Sequence, residues 1–537
     1  MSKDKVSTSG LSPLKYSAFR ALWIAAVASN VGSLMQIVGE GWLMTSLTSS
    51  SLLVALAYAS VSISIVLLAL PAGALADIVN RRWLLIVSQT WMLVIATTLG
   101  IVTMLDLISP STLLLFIFLI GLGEAMSTPA FAPYLLGTVP HYETRNAVTL
   151  IGVALNIGRG IGPAVGGILL AFVGPAPVFF LNAASFAGVI VVLYHFHSHN
   201  PSISQLPAER MIGAIRAGMR YVRYNSTIHA VLARVTAFAI PISVLPALLP
   251  AFVRYELGLD SSVYGILFGL FGLGAIVGGL VIMPIIIRKV SADWIAVIST
   301  ISFLVSLTVL ATVQNIALLA SAMVLAGVAQ IMAFATLGFV LYGSLPNWVT
   351  ARAASFYQLV LQAALVIGSV VWGLIADQFG IRTALLSASA ALAVGLLVKL
   401  PYPLKAADRE IDVSPSMHWP VPQLLTQPNL NQGPVLVQIE YNIDPSKLQE
   451  FTMAMQDLST IRKRDGAFYW GLFRHDKKIN VYIESFLVES WVEHLRQHER
   501  MTVADRSIEE RALAFHIDEK SPTVSHFIAG PFGSDSK

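Results

Sequence analysis

Two long apolar stretches of the chain each carry one ionisable residue near the middle, and these residues are the first candidates for chemistry. Glu124 interrupts the stretch 111–136, and Arg159 interrupts the stretch 146–172. A charge inside an apolar segment costs free energy, so each such residue is a functional candidate by default. If the two segments are neighbours, Glu124 and Arg159 can pair, and protonation of Glu124 would release Arg159. The alternative is an ion pair that only stabilises the structure.

Two further charges within apolar stretches are weaker candidates for the same coupling or transport role. Glu40 follows Arg20 by about 30 Å of helix at the standard rise per residue, so we expect Glu40 near the outer mouth of its segment, in contact with solvent. Arg234 falls in the early turns of its segment, where its long side chain can reach the inner surface. Three amide side chains are candidates for the lining of a polar cavity: Asn30, Gln36 and Asn156.

Membrane-spanning helices are the elements that would position these charges. Of the 537 residues, 55% are hydrophobic and 12% are charged, and the mean hydropathy is +0.72, which excludes an ordinary soluble protein. A helix needs roughly 20 apolar residues to cross the hydrocarbon core. Twelve stretches meet this length: 19–45, 51–76, 82–105, 111–136, 146–172, 177–196, 228–253, 262–287, 292–313, 316–344, 353–376 and 383–401.

The charged residues are unevenly distributed, which predicts a membrane part followed by a soluble domain. The chain has 34 Lys and Arg and 30 Asp and Glu, and more than half of these residues follow residue 404. The net charge of +4 reflects Lys and Arg in loops beside the membrane and does not indicate a nucleic-acid partner. The loops on the side of the N-terminus are rich in Lys and Arg. This asymmetry predicts a multi-pass protein of the cytoplasmic membrane with both termini in the cytoplasm.

The pattern predicts seven segments: a cytoplasmic N-terminus (1–18), a six-helix bundle (19–196), a cytoplasmic linker (197–227), a second six-helix bundle (228–401), a Pro-rich linker (402–432), a soluble domain (433–528) and a tail (529–537). The two six-helix halves resemble each other weakly, since Arg145 and Arg352 open equivalent segments. Such repeats occur in secondary transporters, with the substrate site between the halves near the midplane.

The first linker contains a helical pattern from 209 to 224. Its apolar face carries Met211, Ile215, Met219 and Val222, and its basic face carries Arg216, Arg220 and Arg223. An interfacial helix on an anionic inner leaflet fits this pattern, which would make membrane lipids a partner. A solvated linker helix fits it equally well.

The loop after the second segment, GALADIVNRRWL from 73 to 84, resembles the motif between the second and third helices of the major facilitator superfamily. Five positions match: Gly73, Leu75, Asp77, Arg81 and Arg82. Ile78 replaces a basic residue and Asn80 replaces a glycine. The resemblance implies an all-α membrane fold of twelve helices in two six-helix halves, with Asp77 capping or pairing with a neighbouring helix to latch one state. A plain positive-inside loop would explain the arginines alone.

The fifth segment resembles the glycine-rich antiporter motif of drug exporters. The matching residues are Gly158, Gly162, Pro163, Gly166 and Gly167. Small residues let helices approach closely, and proline shapes a bend. An upstream glycine of the family motif is missing, since Thr149 stands there and Gly152 is out of register. A generic packing face is the alternative.

The last part of the chain has the pattern β-α-β-β-α-β, which predicts an α+β ferredoxin-like domain. The predicted strands are 435–441, 467–475, 478–487 and 523–528. A helix begins at Asp444-Pro445, Ser490 with Glu493 suggests a capping box, and a helical stretch follows at 502–515.

Residues 433–528 resemble the dimeric α/β-barrel domains of antibiotic-biosynthesis monooxygenases. This resemblance implies a homodimer through the C-terminal domain. Together with the run ESWVEHLRQHERMTVADR, the chain resembles the transmembrane secretion effector branch of the facilitators, which includes enterobactin-exporter-like proteins.

Other chemistry in the tail has weaker support. His494 and His498 lie four residues apart on one helix, but a metal site needs more ligands than two histidines, so we predict no metal and no cofactor. Trp470, His475 and Trp491 fit either a small-molecule cavity or a domain core. The chain has no cysteine, which excludes disulfides and Cys-ligated metals.

These patterns predict a secondary active efflux transporter and no enzyme activity. The expected cargo is a small amphipathic molecule, such as a drug or a siderophore, exchanged for protons. No Walker-type nucleotide loop is visible in the sequence. Two alternatives concern the tail: a cofactor-free monooxygenase-like enzyme tethered to the membrane or acting on the cargo, or a regulatory or dimerisation module.

Overall fold

The computed structural model describes residues 10–196, 211–404, 412–419 and 429–530. The chain divides into two compact units. The first unit comprises Met1–Leu206, Leu232–Gly338 and Ser355–Pro403. The second unit comprises Pro207–Val231, Phe339–Ala354 and Leu404–Lys537. The second unit therefore combines the tail with the linker between the six-helix halves and with a short stretch around residue 348.

Twelve helices are long and apolar enough to cross a membrane. Together with the short helix α7, they are α1 (Ser17–Leu47), α2 (Ser51–Ile78), α3 (Arg81–Met104), α4 (Pro110–Leu136), α5 (Thr144–Val173), α6 (Pro175–His195), α7 (Met211–Arg223), α8 (Ser226–Glu256), α9 (Ser261–Ile286), α10 (Ala292–Thr312), α11 (Ile316–Gly343), α12 (Asn347–Phe379) and α13 (Ile381–Lys399). All twelve predicted spans are confirmed. The largest difference is at α12, which begins at Asn347, whereas its apolar part begins near residue 353. The helix continues past the apolar stretch into a polar turn.

Helix α8 is segmented and contains three prolines, Pro241, Pro246 and Pro250. An α-helical part ends at Ile242, a second runs from Val244 to Ala251, and the last turn from Phe252 to Glu256 is π-helical. Proline removes a backbone donor and clashes with the preceding turn, so a proline-rich helix cannot stay regular. Helix α9 likewise contains a π-helical stretch, Gly278–Ile282.

The glycines of the α5 motif pack against two neighbouring helices, α1 and α9. A Cβ added at Gly158 or Gly166 would lie within 3.0 Å of α1, at Asn30 and Met35 respectively. Residues four positions apart share one face of a helix, which places these glycines against the same neighbour. On the other side, a Cβ at Gly167 would lie 2.5 Å from the Cα of Gly265 in α9. The glycines therefore bring the backbones of three helices into close contact.

Substituting Gly167 by alanine should therefore destabilise the bundle by about 1–3 kcal/mol, because a methyl group must displace backbone atoms of α9. Gly152→Ala is the matched control, since an added Cβ at Gly152 meets nothing within 4 Å. We expect the control to be neutral or slightly stabilising, because alanine is the better helix former. Thermal inactivation of the two detergent-solubilised variants measures the difference. Equal loss of stability in both would show that close packing at Gly167 is unimportant.

The tail forms a four-stranded sheet with helices on one face. The strands are β1 (Val435–Asn442), β2 (Tyr469–Arg474), β3 (Val481–Val488) and β4 (Thr523–Ile528), and the helices are α14 (Leu448–Asp465), α15 (Trp491–Arg500) and α16 (Val503–Leu513). The strand order is β2-β3-β1-β4, and every pair is antiparallel. Alternate residues of β1 are buried, and they pack against the buried face of α14 formed by Phe451, Met455 and Leu458. The predicted hairpin joins β2 to β3.

One detail of the predicted capping differs. The Ser490 hydroxyl accepts a hydrogen bond from the Glu493 amide, but the Glu493 carboxylate binds Arg220 and Arg500. Charged partners give a carboxylate stronger hydrogen bonds than a backbone amide does. The complete capping box lies at the start of α16 instead, between Thr502 and Asp505.

Helix α7 has a partner that neither prediction for the linker included, because one side of it packs against the tail. Contact of its exposed side with lipid or solvent stays a prediction. Ala217, Gly218 and Tyr221 are buried, whereas Met219, which the pattern places on the apolar face, is 55% exposed. Arg220 binds Glu493 at 3.0 Å, and Arg216 binds Glu489 at 2.9 Å. The predicted face residues Met211 and Ile215 have side chains outside the described part of the chain.

Candidate functional site

A cavity of about 430 Å³ lies inside the first six-helix half. Its wall receives residues from all six helices, α1 to α6, and every lining residue falls within this half. The predicted position between the two halves is therefore not where this cavity lies. The wall carries three charged groups, Glu40, Glu124 and Arg159, amid mainly apolar and aromatic side chains.

Glu124 and Arg159 are both exposed at the wall of this cavity. The predicted direct pair is absent among the described residues, since no nitrogen and oxygen of the two side chains lie within 4.0 Å. The reason lies in the helix packing. Helix α4 packs chiefly on α2 and α3, whereas α5 packs chiefly on α1 and α9, so the cavity separates the two charges.

Glu40 is buried, which corrects the prediction of a solvated position at the outer mouth. Its residue is only 5% exposed. The Gln36 amide donates to Glu40 Oε1 at 2.7 Å, and the Asn182 amide of α6 donates to Gln36 Oε1 at 2.6 Å. The number of residues along a helix gives the depth of Glu40 in the membrane, but it does not say on which side of the helix the residue lies. Glu40 lies on the side that faces the other helices of the bundle. A hydrogen-bonded chain thus joins this carboxylate to α6.

The amides Asn30 and Gln36 line the cavity, as predicted, whereas Asn156 is not part of its wall. Asn182 is a polar member of the wall that sequence reasoning missed. It is 1% exposed, and an asparagine in the middle of an apolar helix is the signal that could have indicated it.

The sequence matches the family described as transmembrane secretion effector over residues 8–531. The chain belongs to this family. No curated protein matches the sequence. The chain is a multi-pass membrane transporter of the major facilitator type.

Solved structures of major facilitator transporters are similar to this transporter in fold. A bacterial homolog of the human lysosomal transporter Spinster, inward-facing and unoccupied, has a TM-score of 0.58 at 12% identity, covering 75% of this chain and 98% of that chain. The nucleoside transporter NupG has a TM-score of 0.58 at 14% identity, covering 72% and 98%. The POT family transporter PepTSo has a TM-score of 0.57 at 12% identity, covering 72% and 98%. At such identities the likeness concerns the fold alone.

Arg234 of the transporter is buried and paired, and its reach toward the inner surface stays a prediction. The residue is 8% exposed, and its guanidinium forms an ion pair with Asp293 in the first turn of α10. The pair neutralises a buried charge, and an acid at a helix N-terminus also complements the helix dipole. Sequence reasoning missed Asp293, although a lone acid at the start of an apolar span was a usable signal.

The loop motif after α2 joins two other helices. Asn80 caps α3 by accepting from the Arg82 amide at 3.0 Å. The Arg82 guanidinium donates to the carbonyls of Leu193 and Tyr194, at 2.7 and 2.9 Å, so it satisfies free acceptors at the end of α6. Arg81 donates to the Ala76 carbonyl at 3.2 Å. Gly73 and Asp77 lie near the end of α2, and the side chain of Asp77 is outside the described residues.

The tail histidines are buried together. The Nε2 atoms of His494 and His498 lie 3.4 Å apart, and the His526 ring centroid lies 4.8 Å from that of His494. Burial lowers the pKa of His494 to about 3 and that of His498 to about 4. Both imidazoles are therefore neutral near pH 7.

The three other candidates of the tail lie apart from one another. Trp491 packs in the domain core and Trp470 at its edge, whereas His475 lies beside the β2–β3 hairpin.

Proposed function

We propose that the transporter exports a small amphipathic molecule, of the drug or siderophore kind, in exchange for protons across the cytoplasmic membrane, with both of its termini in the cytoplasm. The observation that carries this proposal is the cavity in the first six-helix half. It combines two carboxylates and one guanidinium with a largely apolar wall. Such a wall suits a cargo with an apolar body and a few polar groups.

Proton coupling follows from the carboxylates. A carboxylate inside a membrane protein can take up a proton when one side has access and release it when access changes. Glu124 is exposed at the cavity wall, where cargo and solvent can reach it. Glu40 also lines the wall, but it is buried and its carboxylate accepts a hydrogen bond from Gln36. The two groups therefore differ in access, and we assign Glu124 as the coupling carboxylate with Arg159 as the cation that faces the same cargo.

Cargo chemistry follows from the remaining wall. Three aromatic side chains, Trp23, Phe131 and Phe186, line it. Aromatic faces bind apolar and cationic groups, so a cargo with a planar apolar part fits. Cells producing the transporter should accumulate less of a fluorescent amphipathic dye than cells without it, and a proton uncoupler should remove the difference. Equal accumulation in both cell types would oppose export, and a difference that survives the uncoupler would oppose proton drive.

A regulatory tail is the second candidate function, and the docking of α7 favours it over an enzyme. The linker helix between the six-helix halves is held by two glutamates of the tail, Glu489 and Glu493. The residue Trp348, at the start of α12, contacts Arg500 of the tail with 4.5 Å between guanidinium carbon and ring centroid. A domain bound to the segments that connect moving helices can bias the transport cycle.

We also propose that two copies of the transporter pair through the tail sheet. The face away from the helices carries one apolar row across all four strands: Phe527, Leu436, Leu487 and Tyr469 stand in register. Phe527 is 52% exposed and Tyr469 is 43% exposed. Rows of paired apolar side chains stabilise sheets when another surface covers them.

A single cysteine at Phe527 tests the dimer cleanly, because the natural chain has no cysteine. We expect Phe527→Cys to form a disulfide-linked dimer in the membrane on mild oxidation. Met453→Cys, on α14 and 56% exposed, is the control that should remain monomeric. Failure of Phe527→Cys to cross-link, or equal cross-linking of both variants, would contradict pairing through this face.

A further inference from the structure

Residues 412–419 form a strap that lies along the start of α16. The Val503 amide donates to the Ser414 carbonyl at 3.0 Å, and the Ser416 amide donates to the Met501 carbonyl at 2.8 Å. The strap follows α13 in the sequence. It is therefore a peptide segment between the last membrane helix and the tail domain, and it is held to that domain by a short ladder of backbone bonds.

The strap places two aromatic rings on one buried carboxylate. His418 Nε2 donates to Glu509 Oε2 at 2.7 Å, and Trp419 Nε1 donates to the same oxygen at 2.9 Å. Ser416 Oγ lies 2.8 Å from His418 Nδ1 and orients the imidazole. Glu509 is 6% exposed. Both donors to this oxygen thus come from the strap and none from the domain itself, among the residues that the structure describes.

Beneath the rings lies a buried arginine. Arg462 is 2% exposed and binds Glu484 through Nε at 3.1 Å and Glu509 through Nη2 at 2.9 Å. Its Nη1 is buried and has no hydrogen-bond partner within the described part of the chain. The ring centroids of Trp419 and Phe486 lie 4.8 and 5.2 Å from its Cζ. The guanidinium therefore presents a face on which a planar ring can stack.

Within the described residues, the domain supplies three donors to Glu484 but only Arg462 to Glu509, whose second oxygen is bonded by the strap. Glu484 receives hydrogen bonds from Tyr441 and Trp470 in addition to Arg462. Burial raises the pKa of Glu509, but the Arg462 guanidinium together with the hydrogen bonds from Trp419 and His418 outweighs burial and holds that pKa below its ordinary value. Without the strap, an ionised and buried carboxylate oxygen would lack donors, which is unfavourable. One guanidinium, Arg462, faces two carboxylates, so the buried group carries a formal charge of −1. A group that replaces the strap should therefore supply N–H donors, a flat ring and a positive charge.

The strap enters this position through a strained residue. Met417 has φ of 46° and a side chain that is 70% exposed. A non-glycine residue in the left-handed region costs free energy, which the contacts of the two rings must offset. Release of the strap would relieve this strain, so a competing ligand has a partial advantage over the rings.

We propose that the tail holds a binding site for a planar aromatic cation, formed by Glu509, Arg462 and His498, which His418 and Trp419 fill in the absence of ligand. Binding there displaces the strap. The site is separate from the cavity among α1 to α6, and it stands whether or not that cavity exports cargo. His498 completes it, since its ring meets the Trp419 ring edge-on at 4.9 Å.

Benzamidine is a suitable probe because it is flat, aromatic and positively charged, with two N–H groups for one carboxylate. The full-length transporter in detergent is titrated with benzamidine, and hydrogen exchange of the amides in 412–419 and 501–504 is followed by mass spectrometry. We expect saturating benzamidine to speed exchange at Ser416 and Val503 by at least about tenfold, since their bonds hold the strap. Benzamide, which is flat but neutral, should bind at least about tenfold more weakly.

Three variants locate the effect. Glu509→Gln should abolish it, whereas Glu510→Gln, which alters an exposed pair with Arg506, should leave it unchanged. Trp419→Ala removes the competing ring and should tighten benzamidine binding by about tenfold. Unchanged exchange in the natural protein together with no tighter binding by Trp419→Ala would overturn the site. Equal binding of benzamide and benzamidine would overturn the assigned ligand class, and this comparison needs no variant.

Discussion

Replacing Glu124 by glutamine is expected to abolish uphill, proton-driven export, lowering the uncoupler-sensitive rate by at least about tenfold, while the folded transporter still reaches the membrane. Glutamine keeps the size and hydrogen-bonding capacity of the side chain but cannot exchange a proton near pH 7. Glu124 is exposed at the cavity wall and, among the described residues, forms no ion pair with Arg159, so its replacement does not leave Arg159 without a bonded carboxylate. The expected loss is therefore one of coupling and not of folding.

Two measurements on reconstituted vesicles separate these causes. Exchange of labelled cargo between equal concentrations needs no proton and should persist in Glu124→Gln, whereas accumulation driven by a pH gradient should disappear. Glu256→Gln is the matched control, because Glu256 is a membrane-part carboxylate that pairs with Arg382 and does not line the cavity. Gradient-driven accumulation at the natural rate in Glu124→Gln would remove Glu124 from the coupling mechanism.

The membrane spans were predictable because their signal is local. A run of about 20 apolar residues usually forms a membrane-spanning helix. The strands of the tail were predictable for a similar reason, since Val435 to Tyr441 alternates between buried and less buried positions. The ends of the helices were harder to predict, because a helix can extend beyond its apolar part, as α12 does.

The packing faces of the helices and the partners of their charged residues were not predictable, because both depend on residues far away in the sequence. The pattern of α7 is the same whether its partner is lipid, water or protein, and its partners Glu489 and Glu493 lie more than 250 residues later. Glu40 illustrates the same limit, since its burial depends on contacts with another helix, α6. Asp293 was visible as an acid, but only the packing of α8 on α10 shows that it neutralises Arg234.

The strap was hidden for a different reason. Its sequence, DVSPSMHW, is polar and rich in turn-forming residues, which is typical of a linker. Its contacts with Glu509 depend on two aromatic side chains that carry no periodic pattern. A histidine and a tryptophan adjacent to each other in a polar linker were the available signal, because exposed aromatic residues in linkers often have a partner.

Replacing Glu493 by glutamine is expected to release α7 from the tail. The Glu493 carboxylate binds Arg220 at 3.0 Å and Arg500 at 2.6 Å, and Arg500 is 3% exposed. Removing the charge leaves two largely buried guanidiniums without their carboxylate, which costs about 3–5 kcal/mol. Native-state hydrogen exchange of the α7 amides should therefore become faster by about a hundredfold or more.

Glu489→Gln is the control for this expectation, because it alters the other ion pair between α7 and the tail. Arg216 and Glu489 have side chains that are 63% and 49% exposed, so the change should cost less than about 1 kcal/mol.

The pH dependence of α7 docking gives an independent test. Burial raises the pKa of Glu493, but Arg500 and Arg220 outweigh burial and hold it below 4.5. A carboxylate whose pKa is lowered by folding contributes its full stabilisation above its ordinary pKa and loses it as pH falls through the lowered value. Docking of α7 should thus be constant from neutral pH down to about pH 5 and weaken below about pH 4 in the natural protein, but be much less sensitive to acid in Glu493→Gln. Equal exchange rates in the two glutamine variants at pH 7 would mean that apolar contacts around Tyr221, and not this carboxylate, hold α7 to the tail.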